Sequence, residues 1–170
     1  MGGGGRDDSG AIGIPGRRID RRRIADYVGV RRCSPSWFTI DQDRINLFAE
    51  ATLDYQFIHV DPVRAGESAF GSTIAHGFLT LSLLPKLLEP IMLIPENISM
   101  GLNYGLDRVR FPHPVPVNSR VRACSTLLEA SEDDHNRLRM RSEVLIEIQG
   151  VEKPAVVAES IAMWLFEGEA

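Results

Sequence analysis

The segment TIAHGFLTLSLLPKLL, residues Thr73 to Leu88, decides how the rest of the chain is read. It is apolar on nearly every face. A helix without a polar face has to be enclosed on most sides, so this one is expected at the centre of the molecule, kinked near its end by Pro85. What encloses it comes later in the chain. After Pro95 the hydrophobic pattern changes to period two. In RLRMRSEVLIEI, Leu138, Met140, Val144, Ile146 and Ile148 fall on one face, and Arg137, Arg139, Arg141, Glu143 and Glu147 on the other. That is the signature of a strand with one buried side. SRVRACSTLL alternates in the same way, AVVAESIAMWLF reads as a more buried strand, and ISMGLNYGLDRVRF reads as a strand interrupted by a bulge at Gly105. Asp133-Asp134-His135-Asn136 and Gln149-Gly150 supply the turns between them. Helices early and strands late define an α+β fold. The expected arrangement is an antiparallel sheet wrapped around the one apolar helix.

Upstream, TIDQDRINLFAEAT is an amphipathic helix with Ile45, Phe48 and Ala49 at helical spacing, and Thr39 with Gln42 fits a capping box. SWFTI before it is a short strand. Asp61-Pro62 reads as an N-cap and first helical residue, so a brief helix is expected there. RRIDRRRIADYVGV holds one short helix, with Ile24, Tyr27 and Val28 on one face, ending at Gly29. MGGGGRDDSGAIGIPG, Gly-rich and polar, is expected as a flexible tail. Residues 1–32 are thus a basic N-terminal arm with a short helix, and residues 33–170 a single domain.

The 170 residues are 44% hydrophobic and 25% charged, which describes an ordinary globular protein large enough for a real core. The net charge of -4 gives no reason to expect nucleic acid or an anionic membrane as partner. Eight arginines lie within residues 1–32, a run short enough to be a solvated helix face. Cys33 and Cys124 cannot make a disulfide framework and match no metal spacing, so reduced thiols are expected. No apolar leader opens the sequence, and Phe78–Leu88 is too short to span a bilayer. A soluble, cytoplasmic protein is the expectation.

The chemistry is sought in DYQFIHVD, Asp54 to Asp61, where a carboxylate and an imidazole lie among aromatic and branched side chains. Such polar groups are costly there unless paired. Taken alone, Asp54 is an Asx turn and His59 a satisfied core residue. Their surroundings argue otherwise. They lie between two helices, in a stretch without regular pattern, where loops tend to carry functional groups. Gly71 and Gly77 surround the expected start of the apolar helix, whose free N–H groups suit developing negative charge. The helix itself is apolar enough to line an acyl-chain tunnel.

ATLDYQFIHVD followed by FGSTIAHGFLTLSLL resembles the MaoC-like dehydratases, or (R)-specific enoyl-CoA hydratases, of the hot-dog superfamily, and within them the small members related to nodulation protein N. Asp54, Gln56, Ile58 and His59 fall on the positions of their motif, and NYGLDRVRFPHPVPVNSRVRA matches a later strand pair. The resemblance covers about residues 33–167. It implies a lyase that needs no metal or organic cofactor and takes a coenzyme A thioester as substrate. Asp54 and His59 would be the acid–base pair and Gly77 the oxyanion donor, with Gln56, Ser72 and His76 as further candidate substrate-binding groups. It also implies a homodimer, since a lone sheet of this kind leaves an exposed edge. The sequence departs from the motif at Leu53, where Gly is usual, and at Gln56 and Phe57, where Asn and Pro are usual. Leu53 restricts torsions that Gly would allow.

Ser72 and Ser82 lack a nucleophile elbow, which argues against serine acyl transfer. A His59-x-Asp61 metal site lacks a third ligand in sequence. Arg108, Arg110, Arg120 and Arg122 are either coenzyme A contacts or ordinary solvent-side arginines; His113 and His135 read as loop and turn residues. Two other functions use the same fold: a thioesterase with carboxylate-activated water, and a non-catalytic acyl-binding subunit whose loop Leu53 has spoiled.

Overall fold

A computed structural model of the chain describes residues 16–166. All but the last residue of the Gly-rich stretch expected as a tail lies outside the described residues. Four short strands, β1 (Arg17–Ile19), β2 (Arg31–Cys33), β3 (Phe38–Ile40) and β4 (Leu93–Pro95), are joined by four long ones. These are β5 (Ile98–Arg110), β6 (Ser119–Glu132), β7 (Arg137–Ile148) and β8 (Val156–Phe166). The main sheet is antiparallel in the order β2-β6-β7-β8-β5, with β3 also paired to β6. The alternation in β7 predicts its faces: Leu138, Met140, Val144, Ile146 and Ile148 are all buried. The bulge expected at Gly105 is a shift in the β5–β8 register between Asn103 and Gly105.

Five helices lie between β3 and β4 in the chain: α1 (Gln42–Thr52), α2 (Phe57–Val60), α3 (Pro62–Gly66), α4 (Gly77–Ser82) and α5 (Leu84–Leu88). Asp61 caps α3, accepting from the backbone N–H groups of Val63 and Arg64, with Pro62 in the first turn as expected. Leu79, Leu84 and Leu87 of α4 and α5 pack on Val121, Ala123, Val144, Ile146 and Val156 of the sheet. The arrangement is the sheet-around-helix fold that the resemblance implied.

Several expectations need correcting. The apolar segment is not one helix from Thr73. Residues 73–76 are held extended, because Ala75 N–H donates to the Val115 carbonyl and Val117 N–H to that of Thr73. The helix begins at Gly77 and breaks at Leu83, with Pro85 in the first turn of the second piece. Its enclosure is partial, with Leu79, Leu84 and Leu87 buried and Phe78 68% exposed. The cap of α1 is Asp41, whose carboxylate accepts from Arg44 N–H, and not the Thr39–Gln42 pair.

Residues 17–32 pack onto the domain. β1 pairs in parallel with β4, a 3-10 helix occupies Arg21–Tyr27, and Ile19 and Ile24 enter a second core with Leu127, Leu138, Met140 and Trp164. Arg21 pairs with Glu132 and Arg31 with Glu147. The cysteines are not separate thiols. β2 and β6 set Cys33 directly opposite Cys124, and the two form a disulfide across 91 residues of chain. Among the described residues no helix is long and apolar enough to cross a membrane.

Candidate active site

The site forms where α1, α2 and the extended 73–76 segment meet. α1 ends at Leu53, which takes the left-handed conformation at φ 60° and ψ 24°. Gly is usual there because L side chains are penalised in that region. The departure at Leu53 therefore leaves the turn intact and loads it with strain. The turned chain carries Asp54, exposed, into α2, where His59 is buried.

Two backbone bonds lock α2 to the segment before α4. Ile74 N–H donates to the Ile58 carbonyl, and His59 Nδ1–H donates to the Ile74 carbonyl at 2.7 Å. The second bond fixes the tautomer. In the neutral ring the proton is on Nδ1, so Nε2 carries the free lone pair. Burial holds the His59 imidazole below its ordinary value; the neighbouring His76 adds to that effect, and the Ile74 carbonyl and Asp54 oppose it. His59 is thus a neutral base with its basic nitrogen facing away from its anchor.

His76 has a larger part than its place before α4 suggested. Its ring stacks on His59 at 3.8 Å between centroids and meets Phe48 at 5.1 Å. Its Nε2–H donates to the backbone carbonyl of Asp54 at 3.0 Å, while Nδ1 is buried without a partner. One ring therefore positions both halves of the pair. A carboxylate oxygen of Asp54 and a ring nitrogen from each of the two histidines all lie within 4.8 Å of one another. The set is not the His59-x-Asp61 pair considered from sequence, since the Asp61 carboxylate caps α3 and Asp54 and His76 stand beside His59 instead.

Gln42, read from sequence as part of a cap, is a tie within the site. Its Nε2 donates to the His59 carbonyl at 2.8 Å and its Oε1 accepts from the Thr73 hydroxyl. It is the first residue of α1, and that position alone gave no hint of the tie. Gln56 is exposed at the N-cap of α2, and the Ser72 hydroxyl donates to the Thr73 carbonyl at 3.1 Å. Gly77 opens α4, where the first N–H groups have no intrahelical partner. A Cβ at Gly77 would sit 3.0 Å from the Phe111 ring, so no larger residue fits without displacing it. Of the arginines considered for coenzyme A, Arg122 pairs with Glu147 and Arg108 with Glu159.

A cavity of about 630 Å³ lies against the same helical segment. It is lined by Leu81 and Ser82 of α4, by Leu84, Pro85 and Leu88 of α5, and by the inner face of the sheet. Asp54, His59 and Gly77 are not among its walls; Leu81, one turn beyond Gly77, is where it comes nearest in sequence to the helix start.

A sheet wrapped on a short apolar helix, with an Asp/His pair beside that helix's start, defines a hot-dog protein of the hydratase kind. The chain belongs to the MaoC-like domain family, whose model matches residues 26–147. It is 45% identical over 142 residues to 3-hydroxyacyl-thioester dehydratase Z of Mycobacterium tuberculosis, covering 84% of this chain and 93% of that protein. It is 48% identical over 145 residues to nodulation protein N of Rhizobium leguminosarum bv. viciae, covering 85% and 90%. Among solved structures, R-hydratase PhaJ1 from Pseudomonas aeruginosa in the unliganded form is similar, with a TM-score of 0.63 and 26% identity over 82% of this chain and 83% of that one. The chain is a lyase of the hydro-lyase type.

Proposed function

We propose that the protein interconverts a trans-2-enoyl thioester and an (R)-3-hydroxyacyl thioester, with Asp54 and His59 as the acid–base pair. The observation that carries this reading is the carboxylate–imidazole gap. Groups within 4.8 Å of each other can grip one water through two hydrogen bonds of about 2.8 Å. The water oxygen attacks C3 as its proton passes to His59 Nε2, and Asp54 accepts the second hydrogen bond. The electron pair of the C2–C3 double bond moves toward the thioester, whose oxygen takes negative charge against the Gly77 N–H. The His59 imidazolium then returns a proton to C2. Dehydration is the reverse. No redox step enters, so no electron carrier is required.

Leu53 in the left-handed region supports catalysis over a merely binding role, since the turn adopts the conformation a Gly would give it. A homodimer fits the surface. β5 is an edge strand along which Met100, Leu102, Tyr104 and Leu106 are exposed, and Phe78 is exposed beside it in the unpaired chain. Unprotected apolar edges are uncommon on monomers. Sedimentation analysis should return twice the chain mass.

Crotonyl-CoA tests the chemistry directly. Loss of enoyl absorbance without release of free thiol is expected, and thiol release would assign a thioesterase instead. Asp54→Asn and His59→Gln should each reduce turnover at least about a hundredfold while melting near wild type. Near-normal rates in both variants would reject the assignment.

A further inference from the structure

The cavity is not the plain hydrocarbon slot that an alkyl chain needs. Across its sheet wall, Ser125, Ser142 and Ser160 bring hydroxyls to a face whose neighbouring positions are Ala123, Leu127, Met140, Val144, Ala158 and Ala162. Ser142 and Ser160 are direct partners in the β7–β8 register. A hydroxyl against hydrocarbon with no compensating bond costs about 1–3 kcal/mol, so three of them would oppose an alkyl occupant.

Arg32 also lines the cavity, and it stands opposite Ser125 in the β2–β6 register. One Nη1 donates to the Ile91 carbonyl, just beyond α5, which places the guanidinium at the far end of the helical segment from Gly77. Its Nε–H is buried without a partner, and among the described residues no carboxylate pairs with it. Burial is the main effect disfavouring the charge; Tyr27 favours it, and Arg17, a smaller effect, disfavours it. A guanidinium at the end of an otherwise largely apolar cavity, with no described acid paired to it, leaves a positive charge to be met from outside the chain. The same residue also braces the turn after α5, which would explain its presence but not the accompanying hydroxyls.

We infer that the cavity takes an acyl chain ending in a carboxylate, with the thioester at the Gly77 end and the distal carboxylate on Arg32. The inference rests on the thioester reading above and names its substrate class. Asn103 and the three serines flank the path and can serve oxygens along the chain, while Trp164 forms part of the wall.

Calorimetric titration with two saturated thioesters of equal length, an alkanoyl-CoA and an ω-carboxyalkanoyl-CoA, tests it. Neither can be hydrated, so the result does not depend on the proposed chemistry. The carboxylate ligand should bind wild-type protein at least about tenfold tighter, the strength expected of a charge-assisted bond. In Arg32→Met that ratio should collapse, and in Arg32→Lys part of it should remain. Because each ratio is measured within one protein, a change in stability cancels, and the wild-type comparison decides alone should Arg32→Met not fold. Equal or tighter binding of the alkanoyl ligand to wild type, or a preference that survives Arg32→Met, overturns the inference. Turnover of plain enoyl-CoA without any carboxylate preference leaves the hydratase reading standing and removes this one. A carboxylate preference without turnover of any enoyl-CoA does the reverse.

Discussion

The two ends of the α4–α5 segment are built on opposite plans. At the α4 end nearly every polar group of the site is tied to backbone: His59 to Ile74, His76 to Asp54, Gln42 to His59. At the α5 end one bond to Ile91 anchors a guanidinium that pairs with no described acid. Ties fix geometry in advance, as bond-making chemistry requires. Loose charge waits for a ligand. On the proposed function, the difference separates the place where a reaction is aimed from the place where a substrate is chosen.

The contrast can be attacked first where the far end is covalently fastened. Arg32 and Ser125 each adjoin a half-cystine of the Cys33–Cys124 bond, which closes a long loop. Replacing both cysteines by serine should lower stability by about 2–4 kcal/mol, read as a lower urea midpoint than that of the oxidised protein. Equal midpoints would mean that pairing alone holds β2 to β6.

A smaller effect is expected from loosening the near end. His76→Phe keeps an aromatic ring against His59 and Phe48 but removes the N–H that holds the Asp54 carbonyl. By analogy with outer groups that orient ligands in metal sites, kcat should fall about tenfold to a hundredfold. KM should move little, and the melting temperature should hold, because the substitution also removes a buried nitrogen without a partner. A proportional loss of stability and activity would reduce His76 to packing.

Acidity probes the same end more gently. His59 titrates below its ordinary value in the folded protein, chiefly because it is buried. The unfolded chain therefore binds the proton first as pH falls. The His59 contribution to stability is complete above about pH 6.5, the ordinary histidine value, and is lost as pH drops from there through the folded value. The acid limb of the kcat/KM profile should accordingly lie below that of an unperturbed histidine. His59→Gln should flatten the corresponding part of the stability curve. An acid limb at or above the ordinary value would contradict the burial argument.

What the sequence disclosed follows from the range of the interactions involved. Alternation in β7 is a local property, and its five inward residues could be read directly. So could the bulge at Gly105 and the Asp61 cap of α3. The proximity of Asp54 to His59 was legible because both residues sit within a single short stretch. Partners brought together by register were not. Cys33 meets Cys124, and Arg32 meets Ser125, only once β2 lies on β6. α4 starts four residues later than its apolar pattern suggests because hydrogen bonds to Val115 and from Val117 override local helical preference at Thr73–His76. Asp41 took the cap from Thr39 because the strand β3 extends through Ile40.

The smallest expected effect lies at Leu53, and it asks what the ties at the near end hold in place. A left-handed non-Gly residue costs about 1–2 kcal/mol, and at 76% exposure Leu53 recovers little of that by burial. Gly would relieve the strain but add unfolded-state freedom worth about 0.5–1 kcal/mol. Asn tolerates the conformation without that added freedom. Leu53→Asn should therefore stabilise the protein by about 0.5–1 kcal/mol and Leu53→Gly by less, both read from urea midpoints. Turnover should not change in either, because the surrounding bonds already impose the conformation that the substitutions merely ease. If turnover rose together with stability, the strained leucine would be holding Asp54 away from its best position, and the near end would be less finished than its hydrogen bonds imply.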